Sequence, residues 1–104
     1  MKFEIILAPE AIEDLNGFKA NVRSEVRDAI EQHLRHEPRK VSKSRIKRLR
    51  GTKRPQYRLR VGDDLRVFYD VIDDAVEILA VIRKSEADQW LQQFGELDET
   101  DRPG

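Results

Sequence analysis

The chain has 104 residues, a length that suits one domain with a modest hydrophobic core and does not accommodate a second domain. Charged residues make up 38% of it, against about 25% in a typical globular domain, yet 20 basic and 20 acidic side chains cancel to a net charge of zero. The absence of cysteine excludes disulfides and thiolate chemistry and permits a cytoplasmic setting, and the early apolar run at residues 5–8 is too short for a signal peptide or a membrane span.

The first third of the chain predicts a strand followed by two helices. Residues 3–7 alternate between apolar and polar, which is typical of a strand. Pro9 suits the first position of a helix, and Asn21 suits the cap of a second helix that runs to Leu34, with Pro38 beyond its end. The apolar stripe of the first helix would comprise Ala11, Ile12, Leu15 and Phe18.

Three further strands are predicted after a basic connection at about residues 37–45. They span 56–61, 65–72 and 75–83, separated by the turn residues Gly-Asp-Asp and Asp-Asp, so we expect an antiparallel meander. The last strand is apolar on both faces, which indicates a neighbour on each side. The helical hairpin is long enough to bring the first strand alongside it in parallel.

These elements predict an α+β fold. It consists of a strand, a helical hairpin, a three-stranded antiparallel meander joined by the first strand into one sheet, and a short helix near residues 85–94, where Trp90 and Phe94 would anchor the helix. We expect a single domain over residues 1–94 and a polar, acidic, flexible tail over residues 95–104.

Arginine alternates with apolar residues in the predicted meander. Extending the alternation from Tyr57, Leu59 and Val61 through the next two strands puts Ala80 and Ile82 on the face toward the helices. The opposite face then carries four arginines interleaved with apolar residues: Arg58, Arg60, Arg66 and Arg83, with Phe68, Leu79 and Val81. Guanidinium groups clamp phosphates and keep their charge near neutral pH, which favours a polyanion site. The alternative is structural: the arginines would pair with acids across strands, Arg66 with Asp70 or Glu77 for example.

A second basic feature overlaps this face. From Arg39 to Arg60 the chain carries eleven Lys or Arg and no Asp or Glu. Such a run is usually a solvated face, but that interpretation weakens where the run overlaps a predicted strand. His33 and His36 resemble a metal pair, but neither Cys nor a third His completes it, so we predict no metal and no cofactor.

Three motifs, RIKRLRG, YRLRVGDDLRVFYDV and AVIRKSEA, follow the predicted order of elements. Together they resemble the RelE/ParE toxin superfamily of bacterial type II toxin–antitoxin systems, over about residues 3–90. RelE-like members are ribosome-dependent mRNA endonucleases that cut the A-site codon, whereas ParE-like members poison DNA gyrase. We favour a RelE-like mRNA interferase that inhibits translation. The alternatives are a ParE-like gyrase poison without nuclease activity and an inactive toxin kept as a binding partner.

The resemblance also implies partners and chemistry. The partners would be a cognate antitoxin, in a hetero-oligomer, and the ribosome with its A-site mRNA, but no membrane. In the RelE-like reaction, which needs no metal, the ribose 2′-hydroxyl attacks the adjacent phosphate and leaves a cyclic phosphate. The ribosome and the RNA would contact Lys43, Arg45, Lys47, Arg48, Arg50, Lys53, Arg54 and Lys84, and Phe68 would stack on a base.

Catalytic roles carry over by resemblance to four arginines. Arg66 would stabilise the transition state and Arg83 the leaving 5′-oxygen, whereas Arg58 and Arg60 occupy positions where some RelE members have lysines, one of them the proposed base. Because arginine is a poor proton acceptor, the resemblance leaves the identity of the general base open, and the nearest candidates are Lys84 and Glu86. The tyrosine that some members carry in the last helix has no counterpart here.

Overall fold

The computed structural model describes residues 1–97 and has an α+β fold, as predicted. The elements are β1 (Glu4–Leu7), α1 (Pro9–Asn16), α2 (Ala20–Leu34), β2 (Ile46–Arg48), β3 (Thr52–Arg54), β4 (Tyr57–Val61), β5 (Leu65–Ile72), β6 (Ala75–Arg83), α3 (Lys84–Phe94) and β7 (Glu96–Leu97). Five strands form one sheet in the order β1-β6-β5-β4-β2, and β3 pairs with β7 in a separate two-stranded sheet.

Strand β6 lies between β1 and β5, which confirms the central position predicted from its two apolar faces. It runs parallel to β1, with Ile5 beside Val76, and antiparallel to β5. The helical hairpin α1–α2 supplies the crossover that a parallel pair requires. Strands β2, β3 and β7 were not predicted, because two or three residues are too few to show alternation.

Both faces of the sheet are covered. The main core lies between the sheet and α1–α2, where Leu15, Ile30 and Leu34 pack against alternate strand residues. Tyr69 is fully buried in this core and donates a hydrogen bond from its hydroxyl to the Pro38 carbonyl (2.7 Å). On the other face α3 packs against β5 and β6. None of the helices within residues 1–97 is long and apolar enough to span a membrane.

A β-bulge at Leu79 changes which residues of β6 face the helices. Phe68 pairs with Ala80 and Tyr69 pairs with Ile78, so Leu79 is an extra residue without a partner on β5. One extra residue reverses the alternation beyond it. Val81 therefore joins the helix-side core. The expectation that Ala80 and Ile82 face the helices was wrong.

The termini of the elements also differ in detail from the predictions. Helix α2 begins at Ala20 rather than after a cap at Asn21, and Lys19 precedes it without a side-chain capping bond. Ile12 of the predicted stripe is largely exposed. The expected flexible tail begins with a strand at Glu96–Leu97, and residues 98–104 lie outside the described residues.

Candidate functional site

Three arginines from two adjacent strands share the sheet face that is opposite α1 and α2. Arg60 of β4 pairs directly with Arg66 of β5, and Arg58 pairs with Phe68. Directly paired residues of antiparallel strands lie on the same face, so these side chains are neighbours. We call Arg58, Arg60 and Arg66 the arginine site.

Arg66 is the buried member of the arginine site, with only 5% of its surface exposed. Its Nη1 group donates hydrogen bonds to the carbonyl oxygens of Leu65 (2.8 Å) and Asp63 (3.4 Å). Burial lowers the pKa of Arg66, and the charges of Arg58 and Arg60 lower it more than those of Asp63 and Asp64 raise it. Within residues 1–97 no carboxylate forms a salt bridge with it. This local excess of positive charge favours an anion.

Arg54, rather than Arg66, pairs with the acids of this face. Its Nε lies 3.1 Å from Asp70 Oδ2, and its Nη2 group bonds to Glu77. Asp70 also accepts a hydrogen bond from the Gln56 backbone N–H (2.7 Å). Burial raises the pKa of Asp70 more than these hydrogen bonds and charges lower it. Arg66 therefore pairs with neither Asp70 nor Glu77. The structural alternative does hold for two of the four arginines, because Arg60 bonds to Asp63 and Arg83 bonds to Asp64.

Arg60 bends toward the turn between β4 and β5. Its Nε donates to the Gly62 carbonyl (3.0 Å), and its Nη2 group bonds to the Asp63 carboxylate. Gly62 has a φ of 59°, which glycine adopts without strain. Arg58 is half-buried beside Lys47 of β2, and it has no salt bridge with any residue that the structure describes.

Arg83 is not part of the arginine site. It pairs with Leu65, and so it projects on the helix side of the sheet. Its guanidinium bonds to Asp64 (2.6 Å) and lies 5.5 Å from the ring centre of Phe18. The expectation that Arg83 shares a face with the other three arginines was wrong because the bulge at Leu79 reverses the alternation.

Phe68 and Trp90 form the contact that attaches α3 to the sheet. Their rings stack with centroids 4.9 Å apart, and the Trp90 ring lies 5.8 Å from that of Phe94. This confirms Trp90 as the anchor of the last helix. Phe68 is completely buried and is not accessible to a base. The expectation that it would stack on one was wrong.

The predicted RNA-binding cations are all exposed, but some already have structural contacts. Arg54 binds the two acids, Arg48 donates to the Gln56 carbonyl (2.7 Å), and Arg45 donates to the Arg60 carbonyl (3.4 Å). The remaining cations of the predicted set have no salt bridge with another described residue: Lys43, Lys47, Arg50, Lys53 and Lys84.

The sequence interpretation missed the ion pairs formed by Arg54 and by Arg60. The network of Arg54 with Asp70 and Glu77 joins residues that are far apart in the chain, and no local pattern indicates it. The bond of Asp63 to Arg60 spans only three residues, and the turn motif GDD after YRLR could have indicated it.

His33 has a pKa lowered by burial and by Arg45. No group of three or more potential metal ligands occurs in the described part of the chain.

Several solved structures with this fold are toxins of toxin–antitoxin systems. The RelBE2 toxin–antitoxin complex of Mycobacterium tuberculosis has 24% identity and a TM-score of 0.62, over 81% of this chain and 100% of that chain. The RelE–RelB complex of Pyrococcus horikoshii has 26% identity and a TM-score of 0.59, over 81% of this chain and 97% of that chain. A mutant of the Escherichia coli toxin RelE in the free state has 21% identity and a TM-score of 0.69, over 88% of this chain and 93% of that chain.

The fold is thus the one shared by toxins of toxin–antitoxin systems. The sequence profile described as the ParE toxin of type II toxin–antitoxin systems matches residues 5–88. The chain belongs to this toxin family, within the RelE/ParE superfamily. A search of curated protein sequences found no significant match. The resemblance read from the sequence is confirmed at the level of the superfamily.

Proposed function

We propose that this toxin is a ribosome-dependent mRNA endonuclease that arrests translation. The observation that carries the proposal is the arginine site, in which a buried Arg66 lies beside Arg58 and Arg60. Within residues 1–97 neither Arg66 nor Arg58 has a salt bridge, and only Arg60 bonds to a carboxylate, that of Asp63. An anion such as a backbone phosphate would offset this excess charge. The site is already built before the anion arrives, as transition-state stabilisation requires.

The chemistry is an attack of the ribose 2′-hydroxyl on the adjacent phosphate, which gives a cyclic phosphate and a 5′-hydroxyl end. Negative charge accumulates on the phosphate oxygens as the new bond forms. The backbone carbonyls that bind Arg66 hold its guanidinium in place, so no reorganisation is needed at that moment. Arg58 would contribute a second guanidinium for bidentate contact with the phosphate. The reaction requires no metal.

Contacts with the ribosome would come from the edge of the sheet beside the arginine site, where Lys47 pairs with Arg58. Lys43, Lys47, Arg50 and Lys53 surround β2 and β3, are exposed, and lack salt bridges with residues 1–97. Cations of this kind bind nucleic-acid backbone without sequence preference. We infer that they position the toxin on ribosomal RNA, next to the A-site mRNA, in the cytoplasm.

A cognate antitoxin would control this activity. Several similar structures are toxin–antitoxin complexes, including those of Mycobacterium tuberculosis and Pyrococcus horikoshii. A partner that carries an acidic, amphipathic segment would cover the arginine site and neutralise it. Co-expression with the antitoxin should restore growth.

A gyrase poison is the second candidate. The matching profile is that of the ParE toxin, and Arg83 lies apart from the arginine site, which leaves one fewer charge for catalysis there. In this case the toxin would bind its target without any chemistry of its own.

Induction of the toxin distinguishes the two candidates. An endonuclease should stop amino-acid incorporation before DNA synthesis, and primer extension on a translated message should show cuts in one reading frame. Arg58→Ala should abolish these cuts. Arg27→Ala, an exposed arginine on α2, is the matched control and should leave them unchanged. If DNA synthesis stops first and no cuts occur, the gyrase candidate is correct.

A further inference from the structure

We propose that Asp63 is the general base that removes the proton from the ribose 2′-hydroxyl. This inference rests on the proposed endonuclease function. It supplies the group that the arginine site lacks, because a guanidinium does not accept a proton near neutral pH. Asp63 lies in the turn between β4 and β5, at the end of the hairpin that carries Arg60 and Arg66.

Both neighbouring arginines point toward this turn. The Arg60 guanidinium bonds to Asp63 Oδ1, and Arg66 Nη1 lies 3.4 Å from the Asp63 backbone oxygen. The side chain of Asp63 is 95% exposed, and only Oδ1 is bonded within the described residues. Its second oxygen, Oδ2, is therefore open to a ligand that the two guanidiniums bind.

Other carboxylates near the sheet are less well placed. Asp64 is the next residue, but it pairs with Arg83 on the helix side. Asp70 is buried and bound by Gln56 and Arg54. Within residues 1–97, Asp63 is the one carboxylate that forms a salt bridge with a member of the arginine site.

The step balances without a further reactant. Asp63 Oδ2 takes the 2′-hydroxyl proton while the 2′-oxygen bonds to phosphorus and the bond from phosphorus to the 5′-oxygen breaks. The 5′-oxygen takes a proton from water, and the protonated Asp63 returns its proton to the resulting hydroxide. Arg60 would contact both the carboxylate and the phosphate, which keeps the base beside the reacting group.

The test compares Asp63→Asn with Asp64→Asn. Each substitution removes one exposed carboxylate from one arginine and changes the net charge equally, but on opposite sides of the sheet. Purified toxin is mixed with ribosomes that carry a message, cleavage is timed by primer extension, and ribosome binding is measured by sedimentation. Circular dichroism of both variants checks that they are folded.

We expect Asp63→Asn to slow cleavage about 100- to 10,000-fold with ribosome binding retained. Asp64→Asn should cleave within about threefold of the parent rate, and Asp63→Glu, which keeps a carboxylate, should recover part of the activity. Cleavage by Asp63→Asn at the parent rate or faster would overturn this inference alone, as would a loss of binding that accounts for the slower cleavage. A parent protein that does not cleave at all would overturn the proposed function as well.

Discussion

Arg66 is an arginine in an unfavourable place for the stability of the fold. It is buried, it lies beside two other arginines, and its bonds are to backbone carbonyls rather than to a carboxylate of residues 1–97. A buried charge without a counter-charge costs free energy. Stability does not explain why the chain has arginine here, whereas the proposed anion site would.

The first prediction concerns the substitution Arg66→Met. Methionine retains most of the buried volume and removes the charge, so the free energy of unfolding should stay within about 1 kcal/mol of the parent or increase. Toxicity should be lost. Arg66→Ala also removes the packed side-chain stem and should cost about 1 to 3 kcal/mol. Urea unfolding and growth on induction measure the two effects. A Met variant that is fully toxic would contradict a role for the charge.

The second prediction uses pH to test the burial of Asp70. Its pKa is raised, chiefly by burial, so the folded protein holds the proton more tightly than the unfolded chain does. The stability that this provides is present below the unfolded-state pKa of about 3.9 and is lost as the pH rises through the folded-state pKa. Asp70→Asn should therefore lower the free energy of unfolding less at pH 7 than at pH values below about 3.9, with the parent measured at the same pH in each case.

Urea unfolding of parent and variant at both pH values measures this difference. Asp14→Asn is the companion variant, because burial also raises the pKa of Asp14, whose Oδ2 accepts a hydrogen bond from the Val81 backbone N–H (2.9 Å). If the effect of Asp70→Asn on the free energy of unfolding is greater at pH 7, the ion pair with Arg54 outweighs burial.

At the scale of elements, α3 and β7 are attached to the sheet by few contacts. The Trp90 ring stacks on Phe68, and among residues 1–97 the only strand that pairs with β7 is the short strand β3. Strand β3 is in turn held by Arg54, which bonds to Asp70 of β5 and Glu77 of β6. The C-terminal elements should therefore open more readily than the central strands.

The third prediction is that Trp90→Ala releases α3 while the central sheet stays folded. Because Trp90 is half-buried, the loss should be about 2 kcal/mol, below the cost of removing a fully buried Trp. Amide hydrogen exchange should become faster over residues 84–97 and change little in β4–β6. Phe94→Ala, which removes a largely exposed ring, is the control and should cost less than about 1 kcal/mol. Equal effects of the two substitutions would show that the stack does not hold α3.

At the scale of the whole molecule, a net charge of zero conceals a separation of charge. The basic residues between Arg39 and Arg60 lie in and around β2, β3 and β4, at one edge of the sheet. A surface of one sign attracts a polyanion even when the total charge is zero, and the attraction weakens with salt.

The fourth prediction concerns this edge. A triple variant, Lys43→Ala with Lys47→Ala and Lys53→Ala, should weaken ribosome binding and reduce the slope of log K against log salt by about 2 to 3. A second triple variant has the same change in net charge on the helix side: Lys2→Ala, Lys19→Ala and Arg27→Ala. Sedimentation at several salt concentrations should show little change for the second triple. Equal effects would assign the result to net charge alone.

Local features of the sequence were enough to predict the long strands, the helical hairpin and the meander. Alternation, turn residues and Pro9 act within a few residues, and the two apolar faces of β6 indicated its central position. The same alternation correctly placed Arg58, Arg60 and Arg66 on one face. The superfamily also followed from motifs within the sequence.

Only the tertiary structure decided which of the four predicted arginines lie together on one face. The extra residue Leu79 has no partner across the β5–β6 ladder and moves Arg83 to the helix side, and such a bulge is visible only when two strands are paired. The burial of Arg66 and the cover that Trp90 places over Phe68 likewise depend on residues distant in the chain. Side-chain periodicity assigns a face to each residue, but burial and charge balance arise from packing between elements, and these determine which face can bind an anion.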